Sequence, residues 1–212
     1  MGVLSDLLRS SFRRGQYRCG AVHAAKNVAN TLLSSALLCL FLLLPQGRAI
    51  AIELPAEAEL SQPRLTGAAR LTYWGFDVYQ ASLWTDAAFR NSEPLQHRFA
   101  LELRYLRGFK GRDIAKSSID EMKRLDPFSQ EQAERWLRQM QSAFPDVSPG
   151  DRITGVNRPG QGVRFFFNGK PTAEIADPDF SRLFFGIWFS EKTPKPKIRQ
   201  ALLGLTPSSV PP

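Results

Sequence analysis

Two side chains in the first half of the chain have the chemistry to bind an anion together. Arg70 precedes Tyr79 by nine residues, on what reads as the adjoining strand. A guanidinium and a phenol can jointly hydrogen-bond one carboxylate, and charge-assisted bonds of this kind are strong where water is excluded. The alternative is a solvated strand arginine beside a core tyrosine, and the residue types alone leave both readings open.

The sequence around this pair favours an apolar slot with a charged mouth. Asp77 is the one acid in the run LTYWGFDVYQASLW, where it either marks a strand edge or orients a neighbouring arginine. Two Phe-rich stretches follow, FFFNG from Phe165 and FSRLFFGIWF from Phe180. Slots of this composition accept amphipathic acids such as fatty acids. The alternative is that these aromatic side chains form an ordinary filled core.

The N-terminal region predicts a targeting segment. A 13-residue apolar run, Leu32 to Leu44, follows several basic residues and precedes the small-residue pattern Ala49-Ile50-Ala51. This run is shorter than the roughly 18–20 residues of a spanning helix. Residues 1–51 therefore read as a secretory signal peptide with a long basic region, cut near Ala51. The protein would then be periplasmic or otherwise extracytoplasmic, or membrane-anchored through this segment if it is not cleaved.

Removing residues 1–51 changes the charge and the reactive groups. The segment carries six of the 28 Lys and Arg residues and one of the 20 acids, so the net charge falls from +8 to +3. Both cysteines leave with it, and His97 is the remaining histidine. This composition argues against a cysteine nucleophile, a histidine-based metal site, a cofactor loop and a nucleic-acid surface.

The remaining chain predicts one α+β domain. Residues 52–64 read as an irregular lead-in, residues 65–204 as the domain and residues 205–212 as a disordered tail. Strands are expected at 66–73, 76–84, 98–106, 152–156, 162–167 and 170–175, from alternation and turn signals. Helices are expected at about 112–125, after the capping box Ser129/Gln132, after Asp177-Pro178 and at 197–203. The expected architecture is a largely antiparallel sheet with helices over one face.

The order of these segments resembles the bacterial chalcone isomerase-like family. The resemblance runs from about Leu65 to Gly204 and is carried by GAARLTYWGFDVYQASLW, LELRYLRGFKGRDIAKSSIDEM, the Trp136–Phe144 spacing before PDVSPGDRI, FFFNGKPTAEIADPDFSRLFFGIWF and ALLG. It implies an open-faced β-sandwich, in which a large antiparallel sheet carries its helices on one face.

The resemblance also bears on catalysis. Plant chalcone isomerases use an arginine and a threonine on the first strands, a tyrosine and an asparagine around the first helix, and a late threonine or serine. Arg70 and Thr72 match the first two. The other places fall near Lys110 or Gly111, Ser117 and Lys170, with Thr172 two residues from the last. The resemblance therefore implies a domain without the plant cyclase set.

Fatty-acid-binding relatives of this fold hold a carboxylate with an arginine and a tyrosine, positions that Arg70 and Tyr79 match here. The leading hypothesis is an exported, non-catalytic protein that binds a small apolar carboxylic acid such as a fatty acid. The expected ligand-binding residues are Arg70, Thr72, Trp74, Tyr79, Phe167, Phe184 and Trp188. Two alternatives stay open: an isomerase or intramolecular lyase acting on a chalcone-like substrate with different catalytic groups, and an envelope interaction protein without a ligand.

Overall fold

Six antiparallel strands form a single sheet in which each strand pairs with its neighbours in the chain. The computed structural model describes residues 54–207, so the predicted signal peptide and the last five residues of the predicted tail lie outside it. The sheet order is β1-β2-β3-β4-β5-β6. The strands are β1 Arg64–Tyr73, β2 Phe76–Thr85, β3 Phe99–Tyr105, β4 Arg152–Arg158, β5 Gly162–Phe167 and β6 Lys170–Ile175.

Within residues 54–207, four α-helices begin and end close to the signals in the sequence. They are α1 Gly111–Leu125, α2 Gln130–Ala143, α3 Pro178–Phe189 and α4 Pro196–Leu202. The capping box forms as predicted, because the Ser129 hydroxyl accepts from the Gln132 amide while the Gln132 side chain accepts from the Ser129 amide. Asp177 caps α3 with Pro178 at its first position. Local chemistry therefore fixes where these two helices start.

One face of the sheet, here called the helix face, carries the main core. The alternation in β3 puts Phe99, Leu101, Leu103 and Tyr105 on this face, as predicted. Phe165 and Phe185 join them with almost no exposed surface. Burial of a side chain of this size contributes about 1.5–3 kcal/mol, so the packing of α3 onto β5 rests on these apolar contacts.

The opposite face, here called the outer face, is partly covered by the segment that precedes β1. This segment, residues 54–60, includes a short 3-10 helix at Ala56–Ala58. Ala58 packs with Trp84, Ala100, Val156 and Phe166 in a second buried cluster. The segment is irregular apart from this short helix, and it contributes buried side chains to the outer face.

Two glutamates attach this segment to the outer face. The Thr154 hydroxyl donates to the buried Glu57 carboxylate over 2.9 Å. The Glu59 carboxylate accepts from Arg164 at 2.7 Å and from Arg98 at 3.4 Å. The fold is therefore an α+β open-faced sandwich with helices over one face, and the sequence-based prediction of fold class is confirmed.

Candidate functional site

A β-bulge in β2 determines which side chains of the first hairpin face the helices. Leu71 pairs with Tyr79 and Thr72 pairs with Asp77, so Val78 is one extra residue in β2. A bulge of this kind re-aims the side chains around it. Val78 and Tyr79 consequently lie on the helix face together, and Asp77 is turned to the outer face.

The helix face contains a partly open cavity of about 110 Å³ between the sheet and helices α1 and α3. Its wall is almost entirely apolar. The lining residues are Leu71, Val78, Tyr79, Leu103, Tyr105, Phe109, Ile114, Ser117, Ser118, Glu121, Phe144, Ile153, Phe184, Ile187 and Trp188. The Phe-rich helix α3 therefore agrees with both interpretations of its sequence. It packs into the main core, and it also borders a cavity that the side chains leave open.

The main polar contact at the cavity is a hydrogen bond between two aromatic side chains. The Trp188 indole N–H donates to the Tyr79 hydroxyl over 3.0 Å. Burial raises the pKa of Tyr79 to about 12, with a smaller contribution from the Glu121 carboxylate, while the bond from Trp188 acts in the opposite direction. Burial and the neighbouring Tyr79 also raise the pKa of Tyr105. Both phenols are therefore neutral at neutral pH.

Glu121 is the charged residue of the cavity wall. Its side chain is 14% exposed, and it accepts a 2.7 Å hydrogen bond from Arg124 one turn along α1. Lys, Arg and His are absent from the residues that line the cavity in the described structure. A bare anion placed deep in this space would therefore meet a carboxylate and no cation.

A second space of about 60 Å³, here called the mouth space, adjoins the cavity. The two share Leu71, Tyr79, Glu121, Ile187 and Trp188, and the mouth space adds Thr193, Pro194, Lys195 and Ile198. The Tyr79–Trp188 hydrogen bond thus belongs to both walls. Lys195 is exposed and precedes α4, so the mouth space has the cation that the cavity lacks.

Arg70 is not where the sequence-based hypothesis placed it. Leu71 lines the cavity, so the alternation of β1 turns Arg70 to the outer face. There its guanidinium donates to the Asp77 carboxylate over 2.9 Å, and the Thr72 hydroxyl donates to the same carboxylate over 2.8 Å. The expected inward-facing Arg70–Tyr79 pair is therefore wrong, whereas the alternative that Asp77 orients a neighbouring arginine is confirmed.

The bulge is the physical reason for this error. A regular two-residue hairpin closed by Trp74 and Gly75 would place Arg70 opposite Tyr79, and partners directly opposite share a face. The extra residue at Val78 moves Tyr79 opposite Leu71 instead. No simple sequence signal marks Val78 as bulged, because valine is an ordinary strand residue.

The other four predicted site residues lie in three different parts of the structure. Phe184 and Trp188 line the cavity with Tyr79. Phe167 packs against the main core without lining the cavity. Trp74 lies in the β1–β2 turn with 79% of its surface exposed, so its predicted place in the slot is wrong. Sequence reasoning missed Val78, Tyr105, Glu121 and Lys195 as parts of the site.

Residues 54–207 contain neither a metal-binding cluster nor a membrane-spanning helix. No cluster of three or more His, Cys, Asp or Glu side chains within this range could hold a metal ion. None of the helices in the same range has the length and apolarity needed to cross a bilayer.

Residues 49–204 match the family model described as chalcone isomerase-like. The chain belongs to the chalcone isomerase-like family. An uncharacterized protein of Haemophilus influenzae is 30% identical over 145 residues, which are 68% of this chain and 69% of that protein.

The chalcone isomerase-like domain also resembles solved structures. The crystal structure of a fatty-acid binding protein of Arabidopsis thaliana superposes with a TM-score of 0.54 and 14% identity, covering 68% of this chain and 88% of the plant chain. At this level of identity the likeness shows a shared fold. It supports the architecture derived above from the strand order.

The buried phenol predicts a defined pH dependence. An unfolded tyrosine ionises near pH 10, whereas Tyr79 keeps its proton in the folded protein up to about pH 12. Above pH 10 the unfolded chain therefore binds fewer protons than the folded one, and the free energy of unfolding falls as pH rises through this window. The full shift corresponds to about 2–3 kcal/mol.

Tyr79→Phe isolates this effect. At neutral pH we expect the variant to be less stable by about 1–3 kcal/mol, because the buried Trp188 indole loses its acceptor. Above pH 10 the gap between variant and wild type should narrow, since phenylalanine has no proton to lose. Urea unfolding across this pH range measures the gap. A gap that stays constant would show that Tyr79 is not held neutral by burial.

Proposed function

We propose that this domain binds a small amphipathic carboxylic acid, with its apolar chain in the cavity and its carboxylate in the mouth space beside Lys195. The observation that carries the proposal is the partly open apolar cavity next to a cation-bearing mouth. Transfer of an acyl chain from water into such a space is favourable by about 0.8 kcal/mol for each buried methylene. The fold shared with a fatty-acid binding protein adds support.

The charges around the two spaces determine which way the ligand would lie. Glu121 borders both spaces, where its carboxylate pairs with Arg124, whereas Lys195 borders the mouth space alone. A carboxylate end therefore has a cation beside it in the mouth space and none in the cavity lining. The tail-inward orientation agrees with this placement of Lys195.

The volume of the site favours a short chain. Ligand sites usually enclose about 300–1,000 Å³. The cavity of about 110 Å³ and the mouth space of about 60 Å³ are both smaller. A short acyl chain suits this volume, whereas a long one exceeds it.

The placement of Arg70 and Thr72 favours binding over cyclisation. These are the two residues that match the first-strand arginine and threonine of the plant enzymes, and both hydrogen-bond Asp77 on the outer face. Neither lines the cavity. A chalcone-like substrate in this cavity would not reach either side chain, so we propose a binding role without catalysis.

Ligand binding is tested by titrating the protein with octanoic acid, palmitic acid and octanol, using calorimetry and native mass spectrometry. We expect octanoic acid to bind more tightly than octanol. Lys195→Gln should weaken the binding of octanoic acid by about two- to fivefold, which is the effect of losing one exposed ion pair. It should leave the binding of octanol unchanged. Lys197→Gln removes the same charge from α4 outside the lining of the mouth space and serves as the matched control. Absence of binding by all three compounds would overturn the proposal.

A further inference from the structure

The turn between β1 and β2 contains an amino acid that its backbone does not favour. Trp74 and Gly75 both have positive φ, 51° and 78°, as in a two-residue type I′ turn. Such turns favour Asn-Gly, and this protein has that pair at the β5–β6 turn, where Asn168 and Gly169 have φ of 49° and 82°. Backbone preference therefore accounts for Asn168 and does not account for Trp74.

The same turn exposes a large aromatic surface. Trp74 is 79% exposed, and Phe76 on the other side of Gly75 is 37% exposed. They are two of the five large apolar side chains that are exposed within residues 54–207. Single exposed apolar residues are common on protein surfaces, but a projecting tryptophan next to a second aromatic side chain indicates a contact surface. Residues 73–76 are called the hairpin tip below.

Basic groups surround the hairpin tip. The Arg107 guanidinium lies 4.4 Å from the centre of the Phe76 ring, and the Lys195 amine lies 5.7 Å from the centre of the Tyr73 ring. Arg70 is also close, and its partner Asp77 is the acid of this hairpin. These contacts leave an excess of positive charge around the aromatic side chains.

An exposed tryptophan whose neighbours Tyr73 and Phe76 each contact a cation matches the chemistry of an anionic lipid surface. The indole has an apolar body and an N–H donor, and tryptophan accumulates at the headgroup level of bilayers. Arginine and lysine next to it gain from negatively charged headgroups. We propose that the hairpin tip docks onto anionic membranes, with Trp74 inserted at the headgroup level.

This docking would bring the ligand site to the lipid surface. β1 and β2 run from the hairpin tip directly into the cavity wall, to which they contribute Leu71, Val78 and Tyr79. Lys195 borders both the hairpin tip and the mouth space. The inference itself rests on the turn, its exposure and its charges, and holds whether or not the cavity binds an acid.

Tryptophan fluorescence tests the proposal on the full chain. The other three tryptophans, Trp84, Trp136 and Trp188, are at most 7% exposed, so Trp74 is the one positioned to respond to lipid. With phosphatidylcholine vesicles containing phosphatidylglycerol we expect a blue shift of the emission, and quenching when the lipids are brominated. Trp74→Asn should lose both responses. It should keep or raise the melting temperature, because asparagine suits the turn.

Variants that remove one positive charge distinguish docking through the hairpin tip from general electrostatic attraction of the protein to anionic vesicles. Arg107→Gln should weaken binding to the anionic vesicles by about fivefold, the usual effect of one basic residue at such a surface. Lys123→Gln removes the same charge from the exposed last turn of α1 and should change nothing. Residues 1–53 are present in every variant, so differences report the hairpin tip. Emission from Trp74 that is neither shifted nor quenched on vesicle-bound protein would overturn the proposal.

Discussion

Asp177→Ala is expected to lower the free energy of unfolding by about 2–4 kcal/mol. The carboxylate caps α3 by accepting from the amides of Asp179 and Phe180, and loss of such a cap costs about 1 kcal/mol. It also accepts from the indole of Trp136, a side chain with no exposed surface. A buried donor left without a partner adds about 1–3 kcal/mol. Urea unfolding at neutral pH measures the sum of these two losses of stability.

Asp179→Ala is the matched control for this prediction. Asp179 lies two residues further along the first turn of α3 and is exposed, with an ion pair to Arg182 as its side-chain contact. Loss of this ion pair should lower the free energy of unfolding by less than about 1 kcal/mol. Equal losses from the two variants would show that the cap and the indole bond of Asp177 contribute little.

The Asp177 carboxylate also makes the free energy of unfolding depend on pH in the acidic range. Burial alone would raise the pKa of Asp177, but hydrogen bonds from Trp136, the Phe180 amide and Arg135 outweigh burial and lower it. A lowered pKa means that the folded protein binds fewer protons than the unfolded chain, so this contribution is lost as pH falls through the folded pKa. The stability gap between wild type and Asp177→Ala should therefore narrow in acid.

Ser117→Phe is expected to weaken ligand binding by more than about tenfold while the protein stays folded. Ser117 lies on α1 and lines the cavity. A cavity of about 150 Å³ is known to accommodate benzene, so one phenyl group occupies most of a space of about 110 Å³. The ring would take the place of the acyl chain, and calorimetry with octanoic acid measures the loss.

Two comparisons make this result specific. Ser117→Ala leaves the cavity open and should bind as the wild type does. The melting temperature of Ser117→Phe should not fall by more than a few degrees, because the added ring enters existing space rather than a filled core. Undiminished binding by Ser117→Phe would place the ligand somewhere other than this cavity.

Much of the fold could be predicted because its signals are local. The alternation of Phe99 to Tyr105 predicts a strand and its core-facing side, although β3 proves to be buried on both faces, and Asn168-Gly169 predicts a tight turn. Ser129 and Asp177 give helix starts. Each signal acts through neighbours within a few residues, so the chain segment carries all of the information needed. Strands and helices in this order leave few alternatives to an antiparallel sheet with helices over one face.

The site was harder to predict because it depends on register between strands. The sequence placed Phe184 and Trp188 correctly, since an almost wholly apolar helix has to face the core. It could not show that Val78 is an extra residue in β2, which puts Tyr79 opposite Leu71. It also gave no sign that Lys195, 116 residues after Tyr79, borders the same space.

The sequence by itself thus determined the order and type of the six strands and four α-helices, the caps of α2 and α3 and the core-facing side of β3, with ends that differ by up to two residues. Only the tertiary structure decided that Tyr79 faces a cavity, that Arg70 pairs with Asp77 on the outer face, and that Lys195 borders the mouth space beside the Tyr79–Trp188 pair. The physical reason is that element formation follows local backbone chemistry. The face on which a strand residue lies changes with every one-residue shift in pairing, and pairing is settled by packing of the whole domain.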